Sequence, residues 1–216
     1  VVLHVRSHDV IATIEPVLEG FTAAGAEILV LSADSGLTGY DERIVLDDDT
    51  WKVLFDNLDR IRDVAGERGI TATLHPHVGT VVEKAPEVDR VLDGSAIPLC
   101  LDTGHLLIGG TDPAELATDV PGRVAHTHLK DVDAALAERV QRAELSYSEA
   151  VDQGMYRPLG QGDVDFGAIL RALAGAGYAG WYVMEQDTIL HSEPPPGSGP
   201  VADVRESLDH LTRLLR

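Results

Sequence analysis

The chain has 216 residues, enough for one well-buried core or for most of a single α/β barrel, which typically runs to ~250 residues. Its 17 basic and 36 acidic residues leave a formal charge of −19, which repels phosphate backbones and argues against nucleic acid as a partner. Cys100 is the only cysteine, so no internal disulfide forms, and no apolar run approaches the ~20 residues of a membrane span. A soluble cytoplasmic protein with no membrane partner is expected.

Val1 to Val5 reads as a buried strand, met without an initiator methionine as if the chain were already inside the element. Ile11, Ile14, Val17, Leu18 and Phe21 recur at helical spacing over 10–24, and Gly25 ends that helix. The run EILVLSA at 27–33 is almost continuously aliphatic, the pattern of a parallel strand covered on both faces. A loop follows, and DDDT at 47–50 predicts a helix start capped by Asp49 or Thr50. Leu54, Phe55, Leu58, Ile61 and Ala65 then give a strongly amphipathic helix, with Gly69 beyond its end.

Further strands are predicted at 70–77, 97–105, 123–130 and 180–186, with a weaker helix up to Leu92 and another opening at TDPAEL, capped by Thr111 or Asp112. Residues 132–162 read as a mostly helical, lid-like insertion. Asp165 caps a helix through Ala174, and after the PPPGSGP linker a last amphipathic helix carries Val204, Leu208, Leu211 and Leu215. Strands alternate with helices throughout, which predicts parallel βαβ units in one domain. About six such strands are legible where a closed (β/α)8 TIM barrel needs eight, so the first one or two βα units are expected to be missing before Val1.

The polar residues of this pattern are not scattered. His75 and His77, Asp102 and His105, His126 and His128, and Glu185 and Asp187 all fall at the C-terminal ends of predicted strands, where a parallel barrel opens its active-site mouth. Within RVAHTHLKD, strand alternation puts His126, His128 and Lys130 on one face. Such a face needs a polar cavity or a metal, because buried ionisable groups are costly unless paired. Mixed carboxylate and imidazole ligands suit a borderline divalent ion such as manganese, cobalt or zinc, whereas Cys100, between Leu99 and Leu101, reads as a small core residue. GQG at 160–162 lacks the spacing of a dinucleotide loop and reads as a turn, and Lys130 is open to pairing with Asp131.

The blocks HPHVGTVVE at 75–83, LDTGH at 101–105, HTHLKD at 126–131, PLGQGDVDF at 158–166 and GWYVMEQD at 180–187 carry a resemblance. In their order and spacing the chain resembles the xylose isomerase-like TIM barrels and, among them, the inosose (2-keto-myo-inositol) dehydratases of inositol catabolism. The resemblance implies one metal site, with Asp102, His128 and Glu185 as ligands. His75 stands where the family has a first Glu, so the fourth ligand lies among His75, His77 and Glu83, with His75 preferred. It implies Mn or Co as cofactor, with Zn or Mg left open, and a small polyhydroxylated ketone as substrate.

In such a dehydration His105, His126 and Lys130 are the expected catalytic residues, with Glu83 a further proton-carrier candidate and Lys130 alternatively an oxyanion holder. His105 matches a histidine that contacts substrate in related epimerases, and His77, Glu83 and Arg157 are expected substrate contacts. Tyr147, Tyr156 and Arg157 are the residues of interest in the insertion. A sugar isomerase or epimerase of the same superfamily begins with the same enolisation and stays open as an alternative. A metal-stabilised sugar-binding protein and a DNA repair enzyme are the remaining alternatives, the second opposed by the charge. A homo-oligomer is left open.

Overall fold

The computed structural model describes residues 2–4 and 10–216. The chain divides into two compact units, Val1–Cys100 and Leu101–Arg216.

The first unit alternates strand and helix: β1 Val2–His4, α1 Val10–Ala24, β2 Ile28–Asp34, α2 Asp48–Gly66, β3 Thr71–Leu74, α3 Ala85–Gly94 and the start of β4, Leu99–Asp102. Its strands run parallel, β1 on β2 with His4 opposite Asp34, β2 on β3 with Leu31 opposite Leu74, and β3 on β4 at Leu74 and Leu99. Leu29, Leu31 and Ala33 of β2 are fully buried, as are Leu18 of α1 and Leu54, Leu58, Ile61 and Ala65 of α2. The alternate residues of β2, Ile28, Val30 and Ser32, are only partly covered. The aliphatic run therefore has one deeply buried face and one partly covered face, not two equivalent ones.

Asp47, not Asp49 or Thr50, caps α2. Its backbone is extended and its carboxylate accepts from the Thr50 amide at 2.8 Å, so Asp48 and Asp49 fall in the first turn where acids complement the helix dipole. Strand β3 is four residues long and ends before His75, because the chain turns at Pro76 and the His77 amide bonds back to the Val82 carbonyl.

The second unit holds the end of β4, α4 Thr103–Gly109, α5 Pro113–Asp119, a 3-10 turn at Pro121–Arg123, and β5 Val124–Leu129. It continues through β6 Asp131–Val132, α6 Ala134–Gln141, α7 Tyr147–Asp152, β7 Tyr156–Arg157, α8 Phe166–Gly175, β8 Tyr182–Met184 and α9 Pro200–Leu214. Strands β5 and β8 are parallel, with His128 opposite Val183 and Leu129 opposite Met184, and the Glu185 amide bonds the Leu129 carbonyl at 3.1 Å. That register delivers Lys130 and Glu185 together at the strand ends.

The predicted strand at 97–105 stops at Asp102, because the Asp102 carboxylate accepts the Gly104 and His105 amides and starts α4 at once. His105 therefore belongs to a helix. Asp112 is the cap of α5 and Asp165 that of α8. The insertion contains α6 and α7, and also a short antiparallel ladder in which β6 and β7 pair Asp131 with Arg157 and Val132 with Tyr156. Leu129, Leu159, Phe166, Leu170 and Leu211 form a core cluster. Of the four apolar residues expected to define α9, only Leu211 is buried, and Leu208 and Leu215 are more than half exposed.

The GQG turn owes its shape to Asp131. This carboxylate, 1 % exposed, accepts the amides of Gly160 at 2.8 Å, Gly162 at 2.9 Å, Val164 at 3.1 Å and Val132 at 3.0 Å. A Cβ on Gly162 would lie 2.4 Å from an Asp131 oxygen, so only glycine lets the loop close this tightly. Lys130 does not pair with Asp131, whose oxygens are filled by backbone donors. Asp131→Asn puts an amide NH2 among those donors and is expected to lower stability by about 3 kcal/mol in urea unfolding. A variant within 0.5 kcal/mol of wild type would contradict the clamp.

Candidate functional site

Asp102, fully buried, uses its two oxygens differently. Oδ1 caps α4 through the Gly104 amide at 3.0 Å and the His105 amide at 2.9 Å. Oδ2 faces Lys130 Nζ at 2.8 Å and His128 Nδ1 at 3.6 Å. The cap fixes the carboxylate, so the outward oxygen has one direction in which to work.

Glu185 repeats the division. Its Oε1 lies 3.5 Å from His128 Nδ1 and its Oε2 lies 2.5 Å from Lys130 Nζ, with Asp187 Oδ2 a further 3.6 Å contact of that ammonium. Ligand atoms of Asp102, His128 and Glu185 lie within 4.8 Å of one another. Donors bound at ~2.1 Å to one small cation stand roughly 3.0–3.5 Å apart, close to the two His128 spacings. Three carboxylates against one ammonium leave two negative charges, with the imidazole counted as a neutral donor. Spacing, donor chemistry and charge all suit a divalent ion.

Lys130 is 3 % exposed, and its backbone is fixed by a reciprocal pair with Thr103: the Lys130 amide donates to Oγ1 at 2.8 Å and that hydroxyl donates to the Lys130 carbonyl at 2.6 Å. Burial pulls the ammonium's pKa down, but the charges of Asp102 and Glu185, the hydrogen bond to Asp102 and the charge of Asp187 outweigh it and hold the group above its ordinary value. Gly104 makes room for the arrangement, since a Cβ there would lie 2.8 Å from Lys130 Cβ and 3.0 Å from Tyr156 Cε1.

His126 is buried, with its ring 5.3 Å from that of His128 in a T-shaped arrangement. His105, 1 % exposed, has ring centroids of Tyr147 and Tyr156 at 6.3 and 6.4 Å. Arg157 bonds Asp133 Oδ2 at 3.1 Å, and the cap bond from the Leu136 amide together with this guanidinium holds the Asp133 carboxyl below its usual range.

The other expected site residues belong to the first unit. His75, just past β3 and 8 % exposed, lies edge-on to His77 with ring centroids 5.2 Å apart. Glu83, 4 % exposed, has its carboxylate engaged by Arg43 and Lys84, each at 2.8 Å, and by the Gly79 amide at 2.9 Å. It is thus a loop anchor within its unit.

The parallel strands and the βα order agree with the comparison to known proteins. The chain belongs to the xylose isomerase-like TIM barrel family, whose profile matches residues 6–214. Within that family it is similar to the inosose dehydratase of Geobacillus thermodenitrificans, 34 % identical over 173 residues, covering 76 % of this chain and 58 % of the relative. The inosose dehydratase of Geobacillus kaustophilus is 35 % identical over 173 residues, covering 79 % of this chain and 54 % of that protein. The chain thus spans little more than half the length of these curated relatives.

Among solved structures, the probable 3-DHS dehydratase AsbF of Bacillus anthracis superposes with a TM-score of 0.67 at 16 % identity, covering 98 % of this chain and 74 % of that one. The IOLI protein with a bound zinc atom gives 0.65 at 16 % identity, covering 95 % and 68 %. At such identities both bear on the fold alone.

The structure brings ligand-type atoms of Asp102, His128 and Glu185 together, as their places at the strand ends suggest, but the contacts around this cluster were not legible in the sequence. The Thr103 hydroxyl fixes the Lys130 backbone, Gly104 leaves room for that side chain, and Asp131 clamps the GQG loop; the one signal in the sequence was that these small or acidic residues stand beside Asp102 and Lys130.

Lys130→Met leaves buried Asp102 without its counter-charge, and with a chelator present it is expected to cost roughly 3 kcal/mol in urea unfolding. Because the folded pKa is raised, the contribution is present below the ordinary lysine value of 10.5 and is lost only as pH rises through the higher folded value. The difference between wild type and variant should therefore stay flat from pH 7 to about 10, and a difference that vanishes below pH 9 would refute the pairing.

Proposed function

We propose that the protein is a metal-dependent hydro-lyase that removes water from a keto-inositol to give a cyclohexane dione, as an inosose dehydratase of inositol catabolism. The observation that carries this reading is the convergence of Asp102, His128 and Glu185 around donor spacings suited to one ion. The similarity to inosose dehydratases at about one residue in three supports the choice of substrate.

In this proposal Asp102, His128 and Glu185 hold a divalent ion, manganese or cobalt in first place, which when bound would polarise the ketone and acidify the neighbouring C–H. His126 and His105 are the proposed proton carriers. One removes the C–H proton and the other delivers a proton to the departing β-hydroxyl, so that one water leaves and the enol relaxes to the dione. Lys130, gripped by carboxylates, is the proposed fixed cation facing the developing enolate oxygen. His75 as fourth donor, and His77, Glu83 and Arg157 as substrate contacts, rest on the sequence alone. A cytoplasmic setting and a small-molecule partner belong to the same proposal; among the described residues no helix is long and apolar enough to cross a membrane.

The test is product analysis with scyllo-inosose. Chelation should abolish dione formation and Mn2+ or Co2+ should restore it. Asp102→Asn and Glu185→Gln should each weaken metal binding at least ~100-fold by calorimetry. An epimer in place of the dione would turn the reading to an isomerase, and ketose binding without turnover would turn it to a sugar-binding protein.

A further inference from the structure

Two phenols of the insertion come together beside the turn that carries Asp102. Tyr147 opens α7 and Tyr156 lies on β7, and their hydroxyls are 2.9 Å apart. The two residues are 7 % and 6 % exposed, and the His105 ring sits against both. Phenylalanine would fill such a core without the cost of desolvating a hydroxyl, so a buried phenol pair calls for a polar task.

Several contacts tie Tyr156 in particular to the reacting end. The Val132–Tyr156 pairing of β6 and β7 fixes its backbone to the strand end that follows Lys130. A Cβ on Gly104 would lie 3.0 Å from Tyr156 Cε1 and 2.8 Å from Lys130 Cβ, so Tyr156 and Lys130 close on the same glycine. The carboxylates of Asp102 and Asp187 both act on its phenol and, after burial and Tyr147, help keep it protonated. A neutral phenol within electrostatic reach of Asp102 and Asp187 can both donate to and accept from a ligand hydroxyl, which an ammonium or a carboxylate cannot do.

We infer that Tyr156, backed by Tyr147, is a substrate-contacting residue whose phenol binds one ring hydroxyl of a polyol. The insertion thus selects the substrate while the strand ends hold the ion. This inference rests on reading the site as one for a polyhydroxylated ring.

The experiment is calorimetry on the full Mn2+-loaded chain, with myo-inositol and its singly deoxygenated analogues as unreactive probes. Wild type should bind one of the analogues about tenfold more weakly than myo-inositol, the loss of one hydrogen bond. Tyr156→Phe should bind myo-inositol about tenfold more weakly than wild type, lose nothing further with that analogue, and take up Mn2+ as wild type does. Tyr147→Phe, which keeps the Tyr156 hydroxyl, should give a smaller loss in the same sense.

Unchanged affinity for myo-inositol in Tyr156→Phe, additive losses, or absence of any polyol binding by wild type would overturn the inference. A protein that shows the non-additive pattern but forms no dione from scyllo-inosose would keep this inference and lose the dehydratase reading.

Discussion

The second unit is organised by a charge almost entirely withdrawn from water. An ammonium as buried as that of Lys130 is stable only if carboxylates compensate it, and those carboxylates must be brought in by different parts of the chain. Asp102 comes from the end of β4, and Glu185 and Asp187 from beyond β8. The parallel register of β5 and β8 and the cap at the start of α4 are the two local structures that make this meeting geometrically feasible. His128 enters the same group two residues before the lysine, on the same face of the strand, and finds two carboxylate oxygens within 3.6 Å.

Much of this was legible beforehand because the signals were periodic. Helices α1 and α2 follow the 3.6-residue spacing of their leucines and isoleucines, and the capping roles of Asp112 and Asp165 follow from acidic residues placed just before apolar runs. The shared face of His126, His128 and Lys130 follows from strand alternation alone. The errors arose where one side chain overrode the local pattern. The run IPLCLDTGH looks like one long strand until Asp102 turns its own carboxylate onto the next amides and starts a helix. The apolar spacing of α9 predicts a buried stripe, whereas Leu211 alone is sunk and Ser207 takes a buried place through its bond to the Leu159 amide.

Asp131 illustrates a different limit. In sequence it is a ligand-type residue next to a lysine, and pairing between neighbours is the natural expectation. Adjacent residues on an extended backbone point to opposite sides, however, and the two side chains diverge. Lys130 turns to the carboxylates of Asp102 and Glu185, and Asp131 turns to the amides of the GQG loop. One dipeptide thereby serves two purposes, the polar cluster on one side and loop closure on the other.

The GQG loop is held from a second direction. Its flanking Leu159 amide donates to the Ser207 hydroxyl, Gln161 reaches Glu206, and Gly160 sits so close to the His210 imidazole that a Cβ would overlap the ring. All three partners belong to the last helix of the chain. The C-terminal segment is therefore mechanically coupled, through the loop and Asp131, to the strand end that presents Lys130. Trimming or unravelling of that tail would be transmitted inward to the charged cluster, even though no residue of α9 carries one of its charges.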